Sequence, residues 1–99
     1  MLTGKQKRQL KQHAQRMADT AHLGKAGLTA ATIKHLGDLL DQHELIKLRF
    51  TDVQGKERKT LANQIAEATE AQVIAVVGHT LLLYRENPEL AADKKVLLD

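Results

Sequence analysis

Apolar residues recur at two different spacings along this chain, and the switches between them divide it into seven segments. After Thr3, a good N-cap, Leu10, Ala14 and Met17 fall at i, i+4 and i+7, which predicts a helix to about Ala18. Thr20 to Leu23 reads as a short strand. Thr29 caps a second predicted helix, Ala30 to Gln42, with Ile33, Leu36 and Leu40 on its buried side. Gly37 lies inside it. Glycine disfavours a helix interior by ~1 kcal/mol, so a close packing contact is expected there. Leu45 to Thr51 alternates: Ile46, Leu48 and Phe50 face a core, and Lys47 and Arg49 form a basic outer face. A turn at Asp52 to Gly55 leads to a third helix, from about Arg58 to Thr69, burying Leu61, Ile65 and Ala68. Gln72 to Val77 and Thr80 to Tyr84 are the most β-like segments. Gly78-His79 joins them as a two-residue hairpin with glycine first, as a type II′ turn prefers.

The order α-β-α-β-α-β-β predicts a single α/β domain: a four-stranded mixed sheet with helices. Crossovers make the first three strands parallel, and the hairpin adds an antiparallel fourth. Residues 1–86 form this domain and 87–99 an acidic tail. Asn87 and Pro88 can stop the last strand and open a short helix; the pattern accommodates either a short helix or disorder.

At 99 residues and 42% hydrophobic content, one compact core is affordable without staples. The chain has no cysteine, which excludes disulfides, zinc–thiolate sites and thiol nucleophiles. No signal peptide and no membrane-spanning stretch is visible, so the expected location is the cytoplasm. Five histidines (His13, His22, His35, His43 and His79) show no metal-ligand spacing, and no phosphate-loop motif exists. The expectation is a non-enzyme with no metal, no cofactor and no small-molecule substrate.

Charge changes this picture. The net charge of +3 is unevenly spread. Residues 1–18 carry Lys5, Lys7, Arg8, Lys11 and Arg16 and no acid, whereas Glu86, Glu89, Asp93 and Asp99 gather at the other end. Removing that end leaves a strongly positive remainder, which points to a polyanion. Gly24-Lys25-Ala26-Gly27 sits between the first strand and the second helix. Two glycines around a lysine let backbone approach a bulky anion beside a helix N-terminus. The plainer alternative is that both glycines only turn the chain and Lys25 is solvated. A cation at a helix N-terminus is unfavourable by ~0.3–1 kcal/mol, however, and Lys56, Arg58 and Lys59 crowd the next one. Only Phe50 and Tyr84 are aromatic, too few to stack a run of bases. The grip expected is on phosphates and shape.

Leu2-Thr3-Gly4-Lys5-Gln6-Lys7-Arg8, Gly24-Lys25-Ala26-Gly27-Leu28-Thr29, His43-Glu44-Leu45-Ile46-Lys47 and Gly78-His79-Thr80-Leu81-Leu82-Leu83-Tyr84-Arg85 follow in this order and spacing. Together they resemble the YhbY family, stand-alone bacterial versions of the CRM domain (chloroplast RNA splicing and ribosome maturation), over roughly residues 1–86. The resemblance implies a fold similar to the C-terminal domain of translation initiation factor three. It also implies RNA binding and association with precursors of the large ribosomal subunit. The partner expected is structured rRNA, bound by a monomer. The family's Gly-x-x-Gly loop falls on Gly24, Lys25, Ala26 and Gly27, and its basic first helix on Lys5, Lys7, Arg8 and Lys11. Family members often carry a proline between the first helix and first strand; here Met17-Ala18-Asp19-Thr20 has none, which leaves the helix end open. The alternative function is a protein-interaction adaptor of the translation machinery, its basic helix meeting an acidic protein.

Overall fold

The computed structural model describes residues 2–24, 28–96 and 98. Helix α1 (Gly4–Gln15) is followed by β1 (Ala21–Leu23), α2 (Ala30–His43), β2 (Leu45–Phe50), α3 (Gly55–Thr69), β3 (Gln72–Val77) and β4 (Thr80–Tyr84). The strands form one sheet in the order β1-β2-β4-β3. β1 pairs parallel with β2, and β4 runs antiparallel to both β2 and β3, so β1, β2 and β3 share one direction as expected. The hairpin strand β4 lies inside the sheet, and Leu81 to Tyr84 are all buried, as a central strand requires. Gly78 opens the turn at φ +58°, a backbone that suits glycine.

Two cores lie on the two faces of the sheet. Leu36 and Leu40 of α2 and Ala62 and Ile65 of α3 pack with Ile46, Leu48, Phe50, Leu81 and Leu83. Leu10 and Ala14 of α1 pack with Leu45, Ile74, Leu82 and Tyr84 on the other face. A register shift between Val73 and Ala75 lets Ile74 and Ala75 both face α1, while Val73 and Val76 face the first core.

Four local expectations are corrected. Helix α1 starts in a capping box between Thr3 and Gln6 but stops at Gln15, short of Ala18. Its last turn tightens as the Arg16 and Met17 N–H groups donate to the His13 and Ala14 carbonyls, three residues back. Lys47 then completes the end: its Nζ donates to the Ala14 and Met17 carbonyls, 3.2 Å each. The outer face of β2 is therefore covered by α1 at Lys47 and open only at Arg49. Helix α3 begins one turn early, at Gly55, and its buried positions are Ala62, Ile65 and Thr69; Ala68 is exposed and Leu61 half-buried. Thr69 fits inside because its hydroxyl donates to the Ile65 carbonyl at 2.7 Å. At Gly37 there is no close contact, since a Cβ would meet nothing within 4 Å. Its carbonyl instead accepts from Arg85, which also holds the Thr69 carbonyl and Asp41.

The segment after Pro88 docks. Glu44 is fully buried at the end of α2, at φ 61° and ψ −46°, a conformation costing ~1–3 kcal/mol for a residue with a side chain. Its carboxylate accepts from the Asn87 N–H at 2.7 Å, the Val96 N–H at 2.9 Å and Lys95 Nζ at 2.6 Å. Burial raises its pKa, but the Lys95 hydrogen bond, the two backbone donors and the lysine charge outweigh this, and the net shift is downward. Val96 and Leu98 close over the α1-side core. Glu44 carries this strain because only a carboxylate, not the glycine usual at such a helix end, can receive those three donors.

Candidate nucleic-acid interface

Because β1, β2 and β3 point the same way, their C-terminal ends share one edge of the sheet. That edge collects the end of β1, the start of α2, the loop entering α3 and the β3–β4 turn. Crevices at the carboxyl ends of parallel strands are common binding positions in α/β sheets. Backbone bonds stitch this edge together. The Thr51 N–H donates to the Leu23 carbonyl at 2.9 Å, and the Phe50 N–H to the His79 carbonyl at 2.7 Å. The Arg58 guanidinium donates to the Gly78 carbonyl, tying α3 to the hairpin turn.

Gly24 leaves β1 beside Thr51, whose Oγ1 would lie 3.5 Å from an added Cβ. Lys25, Ala26 and Gly27 lie outside the described residues. Helix α2 starts just beyond, with the Thr29 hydroxyl accepting from the Thr32 N–H at 3.1 Å. Its first turn has no acid. Helix α3 starts at the same edge with Gln54 as N-cap and no side-chain cap bond. Lys56 and Lys59 are both exposed, and Glu57 is the one acid of the first turn. The earlier start of α3 brings Lys56 into that first turn, at the positive end of the helix dipole, and leaves Lys59 just beyond it. Arg58 differs from its neighbours: it is half-buried, and its Nε has no hydrogen-bond partner among the described residues.

The basic residues of α1 lie across the sheet from α2 and α3. Lys5, Lys7, Arg8 and Lys11 are all exposed. Gln6, near the start of α1, lines a hollow with Gln72, Tyr84 and Glu86 at the opposite edge of the sheet. Lys11 and Gln15 reach Val77 and Thr80, beside the hairpin turn. The sequence candidates therefore form two groups, and the β3–β4 turn lies between them: Arg58 binds it from one side and Lys11 approaches it from the other. Among the described residues, no ion pair or hydrogen bond holds the side chain of Lys7, Arg8, Lys11, Lys56 or Lys59. Arg49, given less weight in the sequence than these, is exposed next to Thr80 and adds to the same edge. The alternation of β2 was its signal.

Among the described residues, no group of three His, Asp or Glu side chains is placed to hold a metal ion. His22 lies 3.7 Å from Asp19 at the sheet's outer strand. None of the described helices is long and apolar enough to cross a membrane.

Comparison with known proteins decides the family. The model of the CRS1 / YhbY (CRM) domain matches residues 2–85. The chain belongs to the CRS1/YhbY family. Among its relatives, "Probable RNA-binding protein YqeI" of Bacillus subtilis is 32% identical over 89 residues, spanning 90% of this chain and 93% of that protein. An "RNA-binding protein" of Haemophilus influenzae is 33% identical over 88 residues, 89% of either chain. The solution structure of a hypothetical protein from Staphylococcus aureus superposes with a TM-score of 0.78 at 37% identity, covering 90% of this chain and 93% of that one. The CRM match ends at Arg85, so the docked segment beyond it lies outside the shared domain.

Proposed function

We propose that this protein is a non-enzymatic, cytoplasmic RNA-binding protein that acts as a monomer on structured rRNA in precursors of the large ribosomal subunit. The observation that carries this reading is the loop edge. Two helix N-termini and a hairpin turn converge there, with Lys56 exposed in the first turn of α3, where the helix dipole already favours an anion, and Lys59 exposed just beyond it. The relatives' names support the same ligand class.

The loop carrying Lys25 approaches the phosphate backbone. Lys56, Arg58 and Lys59 neutralise phosphates on one side of the hairpin turn. Lys11, Arg8 and Lys7 extend the contact along α1, and Lys5 marks its far end. With about five phosphates neutralised, log affinity falls against log salt with a slope of roughly −3.5 to −4.5.

Sedimentation of a cell lysate through a sucrose gradient tests the reading. Wild type is expected with large-subunit precursors, and a folded Lys25→Glu variant at the top. Wild type remaining at the top in gentle salt overturns the ribosomal assignment, and capture of a protein partner after nuclease treatment would favour the adaptor instead.

A further inference from the structure

Beside the hairpin turn, α1 stops too soon to cover the sheet. A groove of about 300 Å³ remains, lined by Lys11, Ala14 and Gln15 of α1, Lys47, and the strand residues Ala75, Val77, Thr80 and Leu82. Its floor is aliphatic: Ala14, Ala75 and Leu82, continued by Val77, a β3 residue 68% exposed. The polar lining is one-signed. Lys11 and Lys47 contribute cations, Gln15 and Thr80 neutral hydrogen-bonding groups, and among the described residues no carboxylate lines the groove. Lys47 is fixed in place by its two bonds to the end of α1.

We infer that this groove receives one unpaired base of the bound RNA, with the adjoining phosphate on Lys11. The assignment rests on the RNA-binding reading of the loop edge and deepens it from phosphate grip to recognition of a bulged or looped-out nucleotide. A flat apolar ring joined to an anion complements an aliphatic floor rimmed by cations. The volume lies at the lower end of the ~300–1,000 Å³ typical of small-ligand pockets, so the groove suits a nucleoside better than a peptide helix. Continuity points the same way. Val77 and Thr80 flank the turn whose Gly78 carbonyl holds Arg58, so a strand running from the α3 start toward α1 passes over the groove. Bases presented in loops and bulges are the readable part of structured RNA, since the major groove of its helix is too narrow for side chains. Here an aliphatic slot stands in for the stacking rings that the chain lacks.

The test compares two RNA hairpins of equal length, one fully paired and one with a single bulged 2-aminopurine, titrated against wild type, Val77→Gln and Ala75→Leu. Val77→Gln makes the floor polar, Ala75→Leu fills it, and a thermal melt identifies which variants are folded. Wild type is expected to bind the bulged hairpin about five- to tenfold tighter, the low end of one base contact, with a change in 2-aminopurine fluorescence. In each folded variant the affinity ratio is expected to fall toward one and the fluorescence change to disappear. Equal wild-type affinity for the two hairpins overturns the slot, as does a preference that survives both substitutions. A wild-type dimer in sedimentation equilibrium that Val77→Gln dissociates assigns the groove to a second copy and overturns it too. Binding of neither hairpin at low salt removes the RNA reading itself, an outcome distinct from binding without preference.

Discussion

The two edges of the sheet treat charge in opposite ways. At the edge where α2 ends and β4 finishes, charges are consumed internally. Glu44 takes Lys95 and two backbone donors, and Arg85 takes two carbonyls and Asp41. At the loop edge the described cations are mostly left over, and Lys56 stands where the helix dipole opposes it. The first arrangement stabilises the fold. The second detracts from stability and is relieved by an anion from outside, so the contrast separates residues that hold the chain from residues that meet a partner.

Removing Glu44 should break the contrast most severely. Glu44→Ala leaves two part-buried N–H groups without their acceptor and Lys95 without its counter-charge. The expected loss is about 3 kcal/mol, the lower end for a broken buried pair because the Lys95 side chain is 26% exposed and can turn to water. Urea unfolding measures it, and a loss below about 1 kcal/mol would refute the docked tail as a structural element.

Charge reversal at the other edge should do the reverse. Lys56→Glu with Lys59→Glu is expected to weaken binding to a structured rRNA fragment at least about tenfold, as lost charge-assisted contacts do. It should also reduce the salt slope by roughly 1.4 to 1.8. The Lys56→Glu change by itself should raise stability by ~0.3–1 kcal/mol, because an acid suits the first turn of a helix. A variant that is both less stable and normal in RNA binding would invert the roles of the two edges.

The pH dependence sharpens the comparison. The Glu44 pKa is lowered on folding, so its contribution is complete above about pH 4.3, the unfolded glutamate value, and is lost as pH falls through the lower folded value. Tyr84, at the same edge, is pushed up to about 12 by burial and by the charges of Glu44 and Glu86. A raised value stabilises the neutral phenol, so this contribution is present below about pH 10 and is lost as pH rises through 12. Glu44→Gln should flatten the acid limb of the stability profile and Tyr84→Phe the alkaline limb. Unchanged limbs would mean that other groups control them.

The smallest effect expected is a gain. Gly37→Ala adds a methyl where nothing lies within 4 Å and should stabilise α2 by ~0.5–1 kcal/mol in thermal denaturation. Destabilisation would show that this glycine serves the Arg85 contact through backbone freedom.

Much of this was legible along the chain. The i, i+4, i+7 spacing and the alternation located all seven elements, because each periodicity is a local property of the backbone. Glycine before His79 specified the hairpin turn for the same reason, and Lys56 and Lys59 were visible as candidates because sign and position along a helix are also local. The end of α1 was not legible: it depends on Lys47, about thirty residues away, filling the last carbonyls. Nor was the fate of Lys47 itself, which alternation placed on an outer face and α1 then covered. Arg58 looked like its lysine neighbours until the hairpin turn supplied a carbonyl for it. The sequence by itself determined the elements, the apolar face of β2 under α2 and α3, and the excess of positive charge. Only the tertiary structure decided the central place of β4, the docking of the tail on Glu44, and which cations remained for a partner. Pairing a charge requires a group brought from far along the chain, and periodicity carries no record of that group.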